Sequence, residues 1–82
     1  MTDLKIRVYK DGDDSPATTV TIPGGVLKIA SRLIPRRAVE ALDNEGIDIQ
    51  EIIRLSESGA ATGPLAEIED HRKNERVVIA LE

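Results

Sequence analysis

The stretch Gly46-Ile47-Asp48-Ile49-Gln50-Glu51-Ile52 decides how the middle of this chain folds. Aspartate favours the position just before a helix, and a glutamate three residues later completes a capping box. Ile47 and Ile52 stand at the two positions that form a hydrophobic staple. The stretch therefore predicts a helix over Ile49–Glu57, and Gly59 is the residue expected to close it.

Two further helical segments precede this capped helix. Between Val26 and Ile34 the apolar residues recur at helical spacing, which predicts an amphipathic helix with its apolar stripe toward the core. The expected stripe consists of Val26, Ile29, Ala30 and Leu33, widened by Leu27 and Ile34. Pro35 should end that helix or begin the next one, because proline disfavours helix just before it and suits a first helical turn. The next helix is predicted over Arg36–Asp43.

Strand patterns stand at both ends of the chain. Apolar and polar residues alternate along Leu4–Tyr9, and β-branched residues make up Thr18–Ile22. The two segments therefore predict an N-terminal hairpin. Leu65–Glu69 and Val77–Leu81 predict a C-terminal hairpin in the same way. Strands, then helices, then strands favour one α+β domain over residues 1–82. We expect the two hairpins to form one antiparallel sheet that is packed by two or three central helices.

Alternation along the strands separates the two faces of the predicted sheet. The face expected to meet the helices carries Ile6, Val8, Val20, Ile22, Val77, Ile79 and Leu81. The other face should carry mainly charged and threonine side chains, but Val78 and Ala80 interrupt it. These two residues are a candidate interface.

Composition argues against several classes of function. The 82 residues include no cysteine, no tryptophan, no phenylalanine, one histidine and one tyrosine, with a net charge of −4. Enzyme mechanisms commonly use histidine, cysteine or clustered carboxylates, so we expect no enzyme, no cofactor and no metal site. An acidic chain also disfavours general nucleic-acid binding. Without an 18-residue apolar run or a secretory signal, we expect no membrane span and a cytoplasmic location.

The basic residues Lys28, Arg32, Arg36 and Arg37 lie within ten positions of one another. On a continuous helix the first three would share one face, because residues four apart are neighbours. One interpretation is a stripe that binds phosphate, an acidic partner segment or lipid headgroups. The other interpretation is the solvated face of an ordinary amphipathic helix.

Three other polar features have ordinary structural interpretations. The aspartates of residues 11–14 lack the spacing of a calcium loop, and they predict a charged turn. Gly24-Gly25 predicts a strand-to-helix turn, and His71 should lie exposed in a hairpin loop. We also expect a domain of this size to have little room for a ligand cavity.

Several of these segments together resemble a known family. Val20-Thr21-Ile22-Pro23, the helix that follows, the stretch 46–52, Gly63-Pro64 and the closing strand are similar to small prokaryotic SHOCT-like domains. Such domains also occur at the N-terminus of some bacterial cell-envelope stress proteins. The resemblance covers nearly the whole chain and provides no catalytic residues. It implies a protein-interaction or regulatory module.

Composition and resemblance therefore lead to one functional expectation. We expect a non-enzymatic protein-interaction or regulatory module that forms a homodimer or binds another protein. The alternative is anion or nucleic-acid binding through the basic stripe.

Overall fold

A computed structural model describes residues 1–59 and 62–82 of the chain. The described strands are β1 (Leu4–Lys10), β2 (Thr18–Ile22), β3 (Gly63–Asp70) and β4 (Glu75–Leu81), and the described α-helices are α1 (Leu27–Ala30), α2 (Arg36–Asn44) and α3 (Ile49–Ser58). A single 3-10 turn, Ser31–Leu33, follows α1 directly. The order of hairpin, helices and hairpin is the predicted one.

The four strands form one antiparallel sheet in the order β2-β1-β4-β3. The central pair joins the two hairpins, so Ile6 of β1 stands opposite Val20 on one side and Ile79 on the other. A β-bulge between Pro64 and Ala66 shifts the register at the start of β3. The predicted α+β class is confirmed.

The core lies between the helices and one face of the sheet. Its buried members include Leu4, Ile6 and Ile22 from the first hairpin, Ala38, Leu42 and Ile52 from the helices, and Val77, Ile79 and Leu81 from β4. These strand residues alternate along the chain, as a sheet with one buried face requires. Val8 and Val20 pack against this cluster from its margin.

Helix α3 begins and ends as the sequence predicts. The Asp48 carboxylate accepts a hydrogen bond from the Glu51 N–H at 2.8 Å, which is the expected cap. Gly59 ends the helix in the left-handed conformation with φ +65°. The helix buries Ile52 completely, and the buried Ser56 hydroxyl donates a hydrogen bond to the Thr2 carbonyl. Hydrogen bonds thus join the N-terminal residues to α3.

The segment from Val26 to Ile34 differs from its prediction. It forms the four-residue α1 and the 3-10 turn, not one continuous helix. Val26 makes no side-chain cap, and Pro35 holds Ile34 in an extended conformation. The buried residues are also different, because Leu27 and Ile34 enter the core while Ile29 and Leu33 face solvent. The predicted apolar stripe was therefore wrong on this segment.

Gly24 positions this segment against the rest of the molecule. A Cβ atom at Gly24 would lie 2.2 Å from the Thr2 carbonyl oxygen and 2.8 Å from the Ser56 hydroxyl oxygen. The Gly24 N–H donates a hydrogen bond to the Asp3 carboxylate at 3.0 Å. The backbone between β2 and α1 therefore packs directly on the N-terminal residues and α3.

Candidate functional site

Exposed aliphatic side chains concentrate in the segment between β2 and α2. The large hydrophobic side chains exposed among the described residues are Met1, Val26, Ile29 and Leu33, so three of them come from this one segment. Ile29 is 85% exposed and Leu33 is 71% exposed. We call the exposed residues Val26, Lys28, Ile29, Arg32, Leu33 and Arg36 the 26–36 surface.

Two buried side chains attach the backbone of the 26–36 surface to the core. Leu27 and Ile34 are 1% and 6% exposed, and both belong to the core. Within the turn, the Ala30 N–H donates to the Val26 carbonyl at 2.8 Å and the Ile34 N–H donates to the Ser31 carbonyl at 3.2 Å. Ile29 and Leu33 thus project outward from a segment that is attached at both ends.

Three of the four predicted basic residues belong to this surface. Lys28 and Arg32 are exposed, and neither has an ion-pair partner within residues 1–59 and 62–82. The Arg36 side chain is 92% exposed, and its Nε lies 3.6 Å from a carboxylate oxygen of Glu40. Because the helix ends at Ala30, these residues do not form the regular helical stripe that the sequence suggested.

The fourth basic residue, Arg37, does not join the surface. Its Nη1 lies 2.9 Å from a carboxylate oxygen of Glu75 and 3.5 Å from one of Asp70. Both partners flank the β3–β4 hairpin loop, so Arg37 ties the start of α2 to the sheet. The carboxylates raise the pKa of the Arg37 guanidinium. Arg37 is therefore an internal ion-pair residue of the domain.

Glu75 is the centre of this ion-pair group. It accepts a hydrogen bond from the Lys10 ammonium at 2.8 Å in addition to the one from Arg37. The Lys10 hydrogen bond, followed by that of Arg37, lowers the pKa of the Glu75 carboxyl to about 2. No local pattern predicts this group, because the side chains that form its ion pairs are 33 or more residues apart along the chain.

The outer face of the sheet carries the other predicted interface residues. Val78 is partly buried there, and Ala80 is only 2% exposed. Nearby, Arg7 makes a two-point ion pair with Glu82, one contact being 2.8 Å, and the Arg76 guanidinium lies 4.7 Å from the centre of the Tyr9 ring. The ion pair lowers the pKa of the Glu82 carboxyl. Ala80 is therefore not available as an exposed interface residue, and Val78 is only partly exposed.

Open grooves are present, although the sequence suggested little room for them. One of about 440 Å³ lies between α2 and α3 and is lined mainly by apolar side chains, among them Val39, Leu42, Ile47 and Ile49. Another of about 330 Å³ lies beside the loop that contains Asp11, Asp13 and Asp14. In the described parts of the chain, no group of three or more acidic or histidine side chains could hold a metal ion. His71 is largely exposed in its loop, 4.0 Å from Glu69.

No helix among the described residues is both long enough and apolar enough to cross a bilayer. The sequence pattern identified the basic residues of the 26–36 surface, but it placed the aliphatic residues of that surface in the core. Pro35 indicates that the helix before it is short, but no local pattern indicates which of its aliphatic residues are buried.

Comparison with known proteins replaces the family suggested by the sequence. The search of curated proteins produced no match, and neither did the search of solved structures. The sequence profile described as the YvlB-like protein, C-terminal domain matches residues 3–80. This match overturns the resemblance to SHOCT-like domains, which rested on strand ends, a helix cap and a Gly-Pro link that many small α+β domains can share. Because the profile spans nearly all of the chain, the protein belongs to the YvlB-like C-terminal domain family.

Proposed function

We propose that this domain is a non-enzymatic interaction module that binds its partner through the 26–36 surface. The observation that carries the proposal is the exposure of Ile29 and Leu33 on a segment whose neighbours Leu27 and Ile34 are buried. Exposed aliphatic side chains that occur together at one place commonly mark an interaction site. If the module is regulatory, its effect depends on the partner that binds this surface.

We propose no catalytic activity for this domain, because its sequence offers few catalytic groups. A chain with one exposed histidine and no cysteine has few of the groups that act as nucleophiles or general bases at neutral pH. The large pKa shift at Glu75 is explained by its two cationic neighbours, Lys10 and Arg37, and Arg37 also ties α2 to the sheet. That group therefore needs no catalytic explanation.

Two narrower parts of the earlier expectation stay predictions. A homodimer would have to use another surface than Ala80, which is buried. Sedimentation equilibrium across a wide concentration range tests it directly, and a single monomeric species throughout would remove it. A cytoplasmic location is tested by fractionating the cells that produce the protein.

A double variant tests the proposed surface. Ile29→Ser with Leu33→Ser removes both exposed aliphatic side chains while keeping the buried Leu27 and Ile34. Labelled domain is mixed separately with soluble and membrane fractions of the producing cells, and its bound share is measured by size-exclusion chromatography and by sedimentation. We expect the wild-type domain to be retained by at least one fraction and the double variant to remain free.

The matched control changes two exposed residues elsewhere. Thr19→Ala with Thr21→Ala alters the edge strand β2 and should bind as the wild type does, because these threonines lie outside the 26–36 surface. Thermal unfolding of all three proteins shows whether each is folded. Equal binding by the wild type and the Ile29/Leu33 variant, or no binding by either, would refute the proposal.

A further inference from the structure

Charge along this chain is strongly segregated. Residues 15–39 contain four basic side chains and no acidic one, although the whole chain has a net charge of −4. All of the carboxylate side chains therefore come from the two flanking parts of the sequence. The three exposed aliphatic residues of the 26–36 surface lie inside this same basic segment. Glu40 lies 3.6 Å from Arg36, but Lys28 and Arg32 have no ion-pair partner among the described residues. The apolar patch therefore keeps a local positive charge, which suits an anionic partner that also offers apolar material.

The spacing places the two kinds of side chain next to each other. Ile29 and Leu33 are four residues apart, and so are Lys28 and Arg32. The segment is the short helix α1 followed by a 3-10 turn, so these residues do not line one helical face. Aliphatic and cationic side chains instead alternate among its exposed positions, and Lys28–Ile29 and Arg32–Leu33 are direct neighbours along the chain. Buried Leu27 and Ile34 fix which side is exposed. The resulting arrangement has the character of a short amphipathic element that lies in a membrane interface.

Other occupants suit this surface less well. In a symmetric dimer the same patch meets itself, so Lys28, Arg32 and Arg36 would be brought close to their own copies. Nucleic acid would find the positive charge but no aromatic side chain on which a base could stack. A specific protein interface usually involves about 20–30 residues on each side, whereas this patch has six. A bilayer surface needs only a few inserted side chains together with positive charge.

We propose that the 26–36 surface binds the headgroup region of a bilayer that contains anionic lipid. Ile29 and Leu33 enter the interfacial layer, and Lys28, Arg32 and Arg36 lie against lipid phosphates. This inference rests on the proposed function, because it names the partner of the same surface. The binding is peripheral and reversible, since each element alone contributes little and the two act together.

A tryptophan reporter tests the insertion directly, because the chain contains no tryptophan of its own. Leu33→Trp places the reporter on the 26–36 surface, and Thr19→Trp places a control reporter on the exposed side of β2. Each protein is titrated with vesicles of phosphatidylcholine alone and of phosphatidylcholine with phosphatidylglycerol. We expect the emission of the Leu33→Trp protein to move to shorter wavelength with the anionic vesicles only. The control emission should stay unchanged with both.

Two pairs of charge variants test whether binding to anionic vesicles depends on the cations of this surface or on any cations of the protein. Lys28→Gln with Arg32→Gln should weaken binding to the anionic vesicles by about fivefold for each charge removed. Arg72→Gln with Lys73→Gln makes the same change in net charge on the β3–β4 loop and should leave binding as in the wild type. Co-sedimentation of the wild-type protein with the same vesicles gives a measurement that needs no reporter.

The outcomes distinguish this inference from the proposed function. Unchanged emission of both reporters, with no co-sedimentation, overturns the lipid inference. If the domain is then still retained by the soluble fraction through Ile29 and Leu33, the partner is a protein and the proposed function stands. If neither vesicles nor either cell fraction binds, both proposals fail. Equal weakening by the two charge variants would also overturn the assignment to this surface.

Discussion

Helix α3 and the segment Val26–Ile34 have similar contents of isoleucine and leucine, but the fold uses them differently. Helix α3 has a cap at its start, a left-handed glycine at its end and a buried inner face. The other segment has no side-chain cap, changes from α to 3-10 geometry and exposes Ile29 and Leu33. Packing in the core explains why α3 carries its aliphatic residues. It does not account for those of the other segment, which is why we assign them to binding.

The largest expected contrast is between two isoleucines. Ile52→Ala removes a side chain that is 1% exposed and should lower the free energy of unfolding by about 2–5 kcal/mol. Ile29→Ala removes one that is 85% exposed and should change it by less than about 0.5 kcal/mol. Urea denaturation of the three proteins measures both. A large loss from Ile29→Ala would mean that the segment packs more deeply than the structure indicates.

Two adjacent glycines provide the next contrast. Gly24→Ala introduces a methyl group 2.2 Å from the Thr2 carbonyl oxygen, and we expect a loss of about 1–3 kcal/mol in the free energy of unfolding. Gly25→Ala is the matched control, since no atom lies within 4 Å of the added carbon. It should be neutral or slightly stabilising, because alanine restricts the unfolded chain. Similar losses from both changes would contradict the close packing at Gly24.

The cap of α3 gives a smaller effect. Asp48→Ala leaves the Glu51 N–H without its side-chain partner and should cost about 1 kcal/mol. Asp48→Asn retains an oxygen that can accept the same hydrogen bond, so most of the stability should remain. Chemical denaturation compares the two variants with the wild type. Equal losses would show that the carboxylate charge, and not the cap, matters at this position.

These contrasts show which features could be predicted from sequence. The cap at Asp48 and the closing Gly59 act within a few residues, and their pattern identified α3 correctly. Alternation along the strands likewise identified the inner face, because a half-buried sheet imposes it. The α+β class followed from the order of these local elements.

The candidate site depended on contacts that no local pattern contains. Ile29 and Leu27 are chemically similar, and only the packed neighbours decide which of them is buried. Arg36 and Arg37 are identical side chains, yet the β3–β4 hairpin supplies carboxylates to one of them only. Sequence therefore located the basic cluster but could not separate the exposed residues of the 26–36 surface from the ion-pair residue Arg37.

The pH dependence of stability can test that division between the two arginines. The pKa of Glu75 is about 2 in the folded protein, below its ordinary value of 4.5. As the pH falls from 4.5, the unfolded chain takes up a proton on Glu75 before the folded protein does, and the folded state loses stability until about pH 2. Glu75→Gln should reduce this loss in thermal melts recorded through that range. Arg37→Gln should reduce it as well, because it removes one of the two cations that hold Glu75 ionised, whereas Arg36→Gln should leave it as in the wild type. An equal response to both arginine changes would place Arg36 in the ion-pair group and remove it from the 26–36 surface.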